Sequence, residues 1–132
     1  MKPTTRPRRT PARWGAAALL LVAAAAHVPL VQEHLHEAPY VGWAFLLLSI
    51  ACVVLAVWVV RSDRTDAWIL IGAVALAALV GYLASRTIGL PEIGDDVGNW
   101  TEPLSYPAVT AELFLVVLAG VRLRTGRMAS AP

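Results

Sequence analysis

Four long apolar stretches, separated by polar segments, dominate the chain. They run over residues 14–32, 39–60, 67–85 and 106–122. A bilayer core about 30 Å thick needs roughly 20 helical residues at about 1.5 Å each, and every stretch is close to that length. Backbone groups in lipid must bond within their own segment, so each stretch is expected to be a helix. The pattern therefore predicts an all-α, four-helix transmembrane bundle.

The segments between and beyond these stretches set the domain organisation. Residues 1–13 are rich in Pro and Arg and are expected to be a disordered basic tail. Residues 14–122 are expected to form one transmembrane domain, followed by a second tail over residues 123–132. The turn at residues 61–66 is short, which predicts a tight antiparallel hairpin of the second and third helices.

A long loop over residues 86–105 joins the third and fourth helices. Loops of this length without regular structure are usually functional or disordered. This loop carries five large apolar residues, which are Ile88, Leu90, Ile93, Trp100 and Leu104. Because apolar side chains are driven out of water, the loop is expected to fold back onto the ends of the helices.

The third helix carries small residues at steps of four along one stripe. They are Ala73, Ala77, Gly81 and Ser85. Stripes of this kind let helix backbones approach closely in lipid. Packing inside the monomer is the favoured interpretation of the stripe, and a homodimer face is the alternative.

Composition agrees with a membrane protein and excludes several other classes. The chain is 58% hydrophobic and 15% charged, whereas soluble domains carry about 25% charge. The high apolar fraction argues against disorder, Gly and Pro without a period argue against collagen, and the single Cys52 excludes a disulfide scaffold. A free-standing soluble enzyme is likewise not expected.

Basic residues are distributed unequally across the predicted membrane. All Lys and Arg residues except Arg86 fall on one side of a four-pass chain. Because cytoplasmic segments carry the excess of Lys and Arg, both termini are predicted to be cytoplasmic. Trp and Tyr residues near the predicted helix ends agree, since amphipathic rings prefer headgroup depth. The Ala- and Arg-rich composition is typical of a high-GC bacterium, so the bacterial cytoplasmic membrane is the expected location.

The first stretch has an alternative interpretation. A basic start, a short apolar run and Ala24-Ala25-Ala26 resemble a secretory signal peptide with a small-residue cleavage site. The polar residues 27–37 that follow favour a helix that is retained. Cleavage would leave three helices and the same orientation for the rest of the chain.

Two ionisable residues fall at membrane depth, where a charge costs on the order of 2.5–3.5 kcal/mol at a helix centre. His27 lies five residues before the end of the first stretch, and Glu112 lies within the fourth. Their positions place both roughly 7–9 Å below the outer helix ends. We therefore expect them to face each other inside the bundle. A buried polar pair that only fixes helix packing is the alternative interpretation.

A polar cluster follows at the outer end of the first helix. If this helix continues until Ala38-Pro39 stops it, its His27, His34 and Glu37 share one face at positions i, i+7 and i+10. The candidate metal ligands are His27, His34, Glu37 and Glu112. Imidazole and carboxylate ligands suit a divalent Zn, Fe, Mn or Ni ion. The alternative is a solvated polar helix end.

Several other kinds of site are not expected. All three histidines lie near one helix end, so a monomer cannot place imidazoles on both sides of a haem iron. Phosphate-loop, nucleophile-elbow and zinc-protease motifs are all missing from the sequence, which favours a non-enzymatic protein. The basic tails are too short to indicate nucleic-acid binding.

Two groups of residues resemble a known family. The first comprises His27, Glu33-His34, Glu37-Ala38-Pro39-Tyr40 and Gly42; the second comprises Ser85-Arg86-Thr87-Ile88-Gly89-Leu90-Pro91, Glu102-Pro103 and Glu112. Together they are similar to a family of small bacterial four-helix membrane proteins with a Ser-Arg-Thr-x-Gly-Leu-Pro outer loop, over about residues 15–121. No activity is accepted for that family, so the resemblance implies a fold and no chemistry.

The resemblance gives weight to particular polar positions. Those that match are His27, Glu33, His34, Glu37, Arg86, Glu102 and Glu112. Glu33, Arg86 and Glu102 are therefore expected to be further polar residues of the site, with Arg86 pairing an acid of the outer loop. His36 and Asp95-Asp96 lie outside the pattern, so the resemblance gives them no role.

The sequence leads to three interpretations of function. The favoured one is a non-enzymatic membrane protein whose outward-facing His/Glu site binds a divalent metal ion or acts as a protonatable switch for a partner protein. The alternative is a small proton-coupled transporter, as a monomer or homodimer, in which Glu112 changes protonation. A membrane enzyme with metal-activated water is a third interpretation that no motif supports.

Overall fold

A computed structural model describes residues 9–128, and this part of the chain forms four long helices. They are α1 (Ala12–Glu37), α2 (Pro39–Ser62), α3 (Thr65–Thr87) and α4 (Ser105–Met128). Each is long and apolar enough to cross a membrane. The predicted all-α fold with four spans is confirmed, and the protein is a multi-pass membrane protein.

The helix boundaries follow local backbone chemistry. Helix α1 continues past the apolar stretch and ends at Glu37, as predicted. It ends there because a residue before proline avoids the helical conformation. Ala38 is accordingly extended, with φ −142° and ψ 88°, and Pro39 opens α2. At the other end of α2, Asp63 adopts a left-handed conformation with φ 49°. A short polar side chain tolerates that conformation better than most.

The structure describes parts of both predicted tails. Helix α4 continues through residues 123–128, which were expected to lie in a tail. Helix α1 begins at Ala12, and Thr10 before it is held by hydrogen bonds to Asp63. Only residues 1–8 of the predicted N-terminal tail and residues 129–132 of the C-terminal one lie outside the described part of the chain.

The four helices form a ring in which each contacts two neighbours. Helices α1 and α2 lie closest, and a Cβ atom on Gly42 would stand only 2.6 Å from the backbone nitrogen of Leu35. Helices α2 and α3 make the fewest contacts of the neighbouring pairs. The turn between them is short, but the prediction of a tightly packed hairpin is wrong because a cavity separates the two helices.

Most core side chains of the bundle are small, and many large apolar side chains lie on its outer surface. Alanines make up much of the core, whereas Leu47 is 64% exposed and Phe114 is 58% exposed. Lipid tails are as apolar as leucine, so a membrane bundle gains from close helix packing rather than from hiding large residues. The surface of the four helices therefore suits contact with hydrocarbon.

The small-residue stripe of α3 does not pack inside the bundle as expected. Ala73, Ala77 and Gly81 are exposed, and only Ser85 is buried. Ala77, Gly81 and Ser85 line the cavity between α2 and α3. The stripe thus borders an opening in the monomer instead of a helix–helix contact.

The loop between α3 and α4 folds back onto the helix ends, as predicted. Ile93 is buried and packs with Ala38 and Val41, at the junction of α1 and α2. Tyr40 adds a hydrogen bond, donating from its hydroxyl to the carbonyl oxygen of Pro91 at 2.7 Å. Ile88 differs from the expectation, since it is 82% exposed. We call this end of the molecule the loop end.

At the opposite end, which we call the tail end, Asp63 joins three parts of the chain. Its carboxylate accepts hydrogen bonds from the Thr10 backbone, the Thr10 hydroxyl and, at 2.7 Å, the Trp68 indole. Arg122 of α4 lies 3.9 Å from the same carboxylate. The start of α1, the α2–α3 turn and the last part of α4 therefore meet at one end of the bundle.

The hydrogen bonds to Asp63 predict a dependence of stability on pH. Burial by itself would raise the pKa of Asp63, but the bonds from Thr10 and Trp68, with the charge of Arg122, outweigh it and lower the pKa below its ordinary value of 3.8. A depressed pKa in the folded state adds stability at pH values above the ordinary pKa. That stability is lost as the pH falls through the native pKa. Asp63→Asn should therefore lower the melting temperature at neutral pH, and the difference from wild type should shrink below pH 3.8.

Thermal unfolding in detergent across this pH range checks the Asp63 prediction. Asp66→Asn is the matched control, because Asp66 forms an exposed ion pair with Arg64 in the same turn. Exposed pairs contribute little, so this variant should melt close to wild type at every pH. A constant difference between Asp63→Asn and wild type across the range would contradict the prediction.

Candidate functional site: a buried histidine–glutamate pair

The periodicity of α1 and α4 brings one polar residue of each helix into the core. In α1, the buried positions Ala16, Leu20, Ala23 and His27 follow one another at steps of three and four. In α4, the buried positions Ala108, Glu112, Leu115 and Ala119 do the same. Steps of three and four keep residues on one helical face. His27 and Glu112 therefore occupy core positions that alanine or leucine fills elsewhere on these helices.

His27 and Glu112 face each other across the α1–α4 contact. The Nε2 atom of His27 lies 3.6 Å from Oε1 of Glu112. Both residues are buried, and Glu112 is only 3% exposed. The predicted pairing of these two side chains in the bundle interior is confirmed.

A second contact fixes the proton arrangement of the imidazole. The Nδ1 atom of His27 lies 2.8 Å from the carbonyl oxygen of Ala23, one turn earlier in α1. A carbonyl oxygen only accepts, so Nδ1 carries a hydrogen and donates it. In a neutral ring the other nitrogen, Nε2, then has a lone pair, and it is this atom that faces Glu112.

The carboxyl group of Glu112 is poorly satisfied. Its Oε1 atom is buried and has no hydrogen-bond partner among the described residues. Buried polar atoms without a partner are uncommon and costly in proteins. A small approach of Oε1 toward Nε2 would form a hydrogen bond, provided that one proton lies between the two atoms.

The surroundings of the pair are mainly apolar. Helix α2 faces it with the ring of Phe45, whose centre is 5.1 Å from that of His27. Cys52, also on α2, is buried in the apolar core of the bundle. The basic residue at the end of α3, Arg86, pairs with loop acids instead.

The other candidate metal ligands do not join the pair. The imidazole of His34 bonds through Nδ1 to the carbonyl oxygen of Leu30 at 2.9 Å, and its ring stands edge-on to Phe45. Phe45 thus contacts both imidazoles. Glu37 and Glu33 are exposed on the last turns of α1.

Geometry gives no support to a metal site. Protein metal sites for Zn use at least three protein ligands. Within residues 9–128, no three His, Cys, Asp or Glu side chains come together in a group that could hold a metal ion. Of the four candidate ligands, the structure brings together His27 and Glu112.

A second polar cluster lies at the loop end. Arg86 is 4% exposed and forms ion pairs at 2.6 Å with Asp96 and with Glu102. Its guanidinium also stacks over the ring of Tyr82 at 5.3 Å. The expected pairing of Arg86 with a loop acid is confirmed, and both partners hold the loop against α3.

Sequence reasoning did not single out one member of this cluster. Arg86 was expected to pair with an acid of the outer loop, but Asp96 lies outside the residues that carry the family resemblance. The feature of the sequence that could have indicated this contact is the excess of acids in a loop with one basic residue, because a buried arginine needs charged partners. The sequence does not determine which of the nearby acids takes that place, because this depends on the short 3-10 turn at Gly94–Asp96.

The fold and the site together define a small multi-pass membrane protein with a buried titratable pair and a charged loop cluster. Comparison with known proteins adds no family to this class: no family model, no curated protein and no solved structure matches the chain. The resemblance to small bacterial four-helix membrane proteins therefore stays a prediction.

Proposed function

We propose that this protein is a non-enzymatic membrane protein in which the His27–Glu112 pair acts as a protonatable switch for a membrane partner. The placement of basic residues supports a bacterial cytoplasmic membrane with the tail end inside and the loop end outside. One observation carries the proposal. The Nε2 atom of His27 lies 3.6 Å from a carboxyl oxygen of Glu112, and that buried oxygen has no hydrogen-bond partner among the described residues.

The arrangement favours one proton shared between the two side chains. With that proton on Nε2, the pair is an imidazolium beside a carboxylate; with it on Glu112, the pair is a neutral imidazole beside a carboxylic acid. Both forms have no net charge. Removing the proton leaves a carboxylate against a lone pair, and adding a second leaves an imidazolium against an acid. Each of these forms places a net charge in an apolar surrounding, which is costly.

The cost of a net charge acts on the contact between α1 and α4, because one residue of the pair belongs to each helix. A net charge is stabilised by water or by separation of the helices, so a change in outside pH would loosen this contact. A membrane partner that binds the tight or the loose form better would then respond to pH, since a ligand shifts an equilibrium only by its differential affinity.

Amide hydrogen exchange in lipid nanodiscs tests the switch. In the wild type, exchange in α1 and α4 around the pair should change with pH. In Glu112→Gln the amide can donate to Nε2 and cannot lose its protons, so the pH dependence that belongs to the Glu112 carboxyl should vanish. Infrared spectroscopy should also show a protonated-carboxyl band that is absent in this variant.

Glu37→Gln is the matched control, since it removes an exposed carboxyl from the same end of the bundle. This variant should keep the wild-type pH profile. If Glu112→Gln also kept it, the switch would be excluded. A proton-coupled flux in vesicles that is lost in Glu112→Gln would favour the transporter interpretation instead.

A further inference from the structure

A cavity between α2 and α3 lies apart from the histidine–glutamate pair. Its volume is about 480 Å³, and neither His27 nor Glu112 lines it. Volumes of roughly 300–1,000 Å³ are typical of small-molecule sites. Its walls are mainly apolar, with Phe45, Leu48 and Ala51 on α2 and Val74 on α3. The cavity borders the region where these two helices make few contacts.

The cavity runs along the helices from the loop end. Tyr40 and Ala51 both line it, and these residues are about 17 Å apart along α2 at about 1.5 Å per residue. The distance is more than half of a hydrocarbon core about 30 Å thick. A long apolar cavity with this direction fits a hydrocarbon chain lying parallel to the helices.

The end of the cavity at the loop is charged. Arg86, Asp96 and Glu102 all line it there. The side chains of Asp96 and Glu102 are 24% and 26% exposed, whereas that of Arg86 is 4% exposed. A ligand can therefore reach the two carboxylates more readily than the guanidinium. With both acids ionised, the cluster has a net negative charge.

We propose that this cavity binds one acyl chain of a zwitterionic aminophospholipid, with the headgroup at Arg86, Asp96 and Glu102. The ammonium group would donate to the partly exposed carboxylates of Asp96 and Glu102. These contacts are charge-assisted hydrogen bonds, which are stronger than neutral ones. A phosphoglycerol headgroup lacks the ammonium group and would meet two carboxylates with no positive charge to offer.

The charged end of the cavity favours a lipid over a helix of a second copy. A second copy would have to provide charges that complement the Arg86 cluster. An acyl chain needs only the width of a methylene chain, and its own headgroup provides those charges.

Native mass spectrometry from mixed-lipid nanodiscs tests headgroup selection. The nanodiscs contain equal amounts of phosphatidylethanolamine and phosphatidylglycerol with identical acyl chains. The wild type should retain phosphatidylethanolamine about tenfold over phosphatidylglycerol, as expected from one additional charge-assisted bond. Retention in the bulk ratio, or a preference for phosphatidylglycerol, would overturn the proposal.

Filling the cavity provides a second, independent variant. Gly81 lines the cavity, and a Cβ atom there would meet nothing within 4 Å, so Gly81→Phe is compatible with the fold. This variant should retain lipid only in the bulk ratio. The control is Gly120→Phe, at a glycine of α4 that is equally open and does not line the cavity. It should keep the tenfold preference.

Two further results would decide against this site. If Gly81→Phe kept the wild-type preference, the lipid would bind elsewhere. If the wild type were a dimer in nanodiscs and Gly81→Phe made it monomeric, the groove would be a contact between copies. The experiment measures lipid retention at a fixed pH, so its failure would leave the proposal for His27 and Glu112 unaffected.

Discussion

Replacing His27 alone by Leu is expected to destabilise the folded protein by about 3–5 kcal/mol, because it leaves Glu112 buried without a partner. Glu112→Leu alone should cost less, since the remaining neutral imidazole keeps its hydrogen bond to Ala23. The double variant His27→Leu/Glu112→Leu should be nearly as stable as the wild type, because well-packed apolar residues often replace a buried polar pair at little cost.

A double-mutant cycle measures the interaction between the two residues. Equilibrium unfolding in mixed micelles gives the free energy of unfolding for the wild type, both single variants and the double variant. Residues in contact show interaction energies of about 0.5–3 kcal/mol, whereas distant residues add within about 0.5 kcal/mol. Additive effects would show that the two side chains do not interact, despite their separation of 3.6 Å.

The second large effect is expected at the loop end. Arg86→Gln should destabilise the protein by about 3 kcal/mol, because it leaves Asp96 and Glu102 without the buried cation that both contact. The loop over residues 88–104 should then separate from α3 and become sensitive to protease. Limited proteolysis and hydrogen exchange of this loop measure the effect directly.

Arg64→Gln is the matched control for the loop prediction. It also removes an arginine from an ion pair, but the pair with Asp66 is exposed and lies at the tail end. Exposed pairs contribute little to stability, so the variant should be nearly as stable as the wild type and its loop should stay protected. Equal protease sensitivity of the two variants would show that Arg86 does not hold the loop.

Much of the site was predictable from its cost in a membrane. His27 and Glu112 stand out because an ionisable residue in the interior of an apolar stretch needs a partner, and Glu112 is the only acid of its stretch. Helical geometry then gives both a similar depth. The predicted ligand set failed where it relied on spacing along α1: His34 shares a face with His27, yet Phe45 of α2 packs against both rings.

The sequence could not predict the cavity, nor which of the loop acids pair with Arg86. The stripe from Ala73 to Ser85 is compatible with a helix contact, a dimer face or an open groove, and the choice depends on how far α3 lies from α2. The sequence also did not predict that Asp63 connects the helix ends. Its three hydrogen bonds exist only because the start of α1 and the first turn of α3 meet at one end of the bundle.

The sequence by itself determined the four spans, the boundary between α1 and α2 before Pro39, and the contact between His27 and Glu112. These features follow from local chemistry, since backbone bonding, proline geometry and the cost of burying charge act on each segment separately. The tertiary structure decided which acids hold Arg86, what separates His34 from the pair and where a cavity remains. Those outcomes depend on the distances between helices, and helices in lipid are held by side-chain packing that no single segment contains.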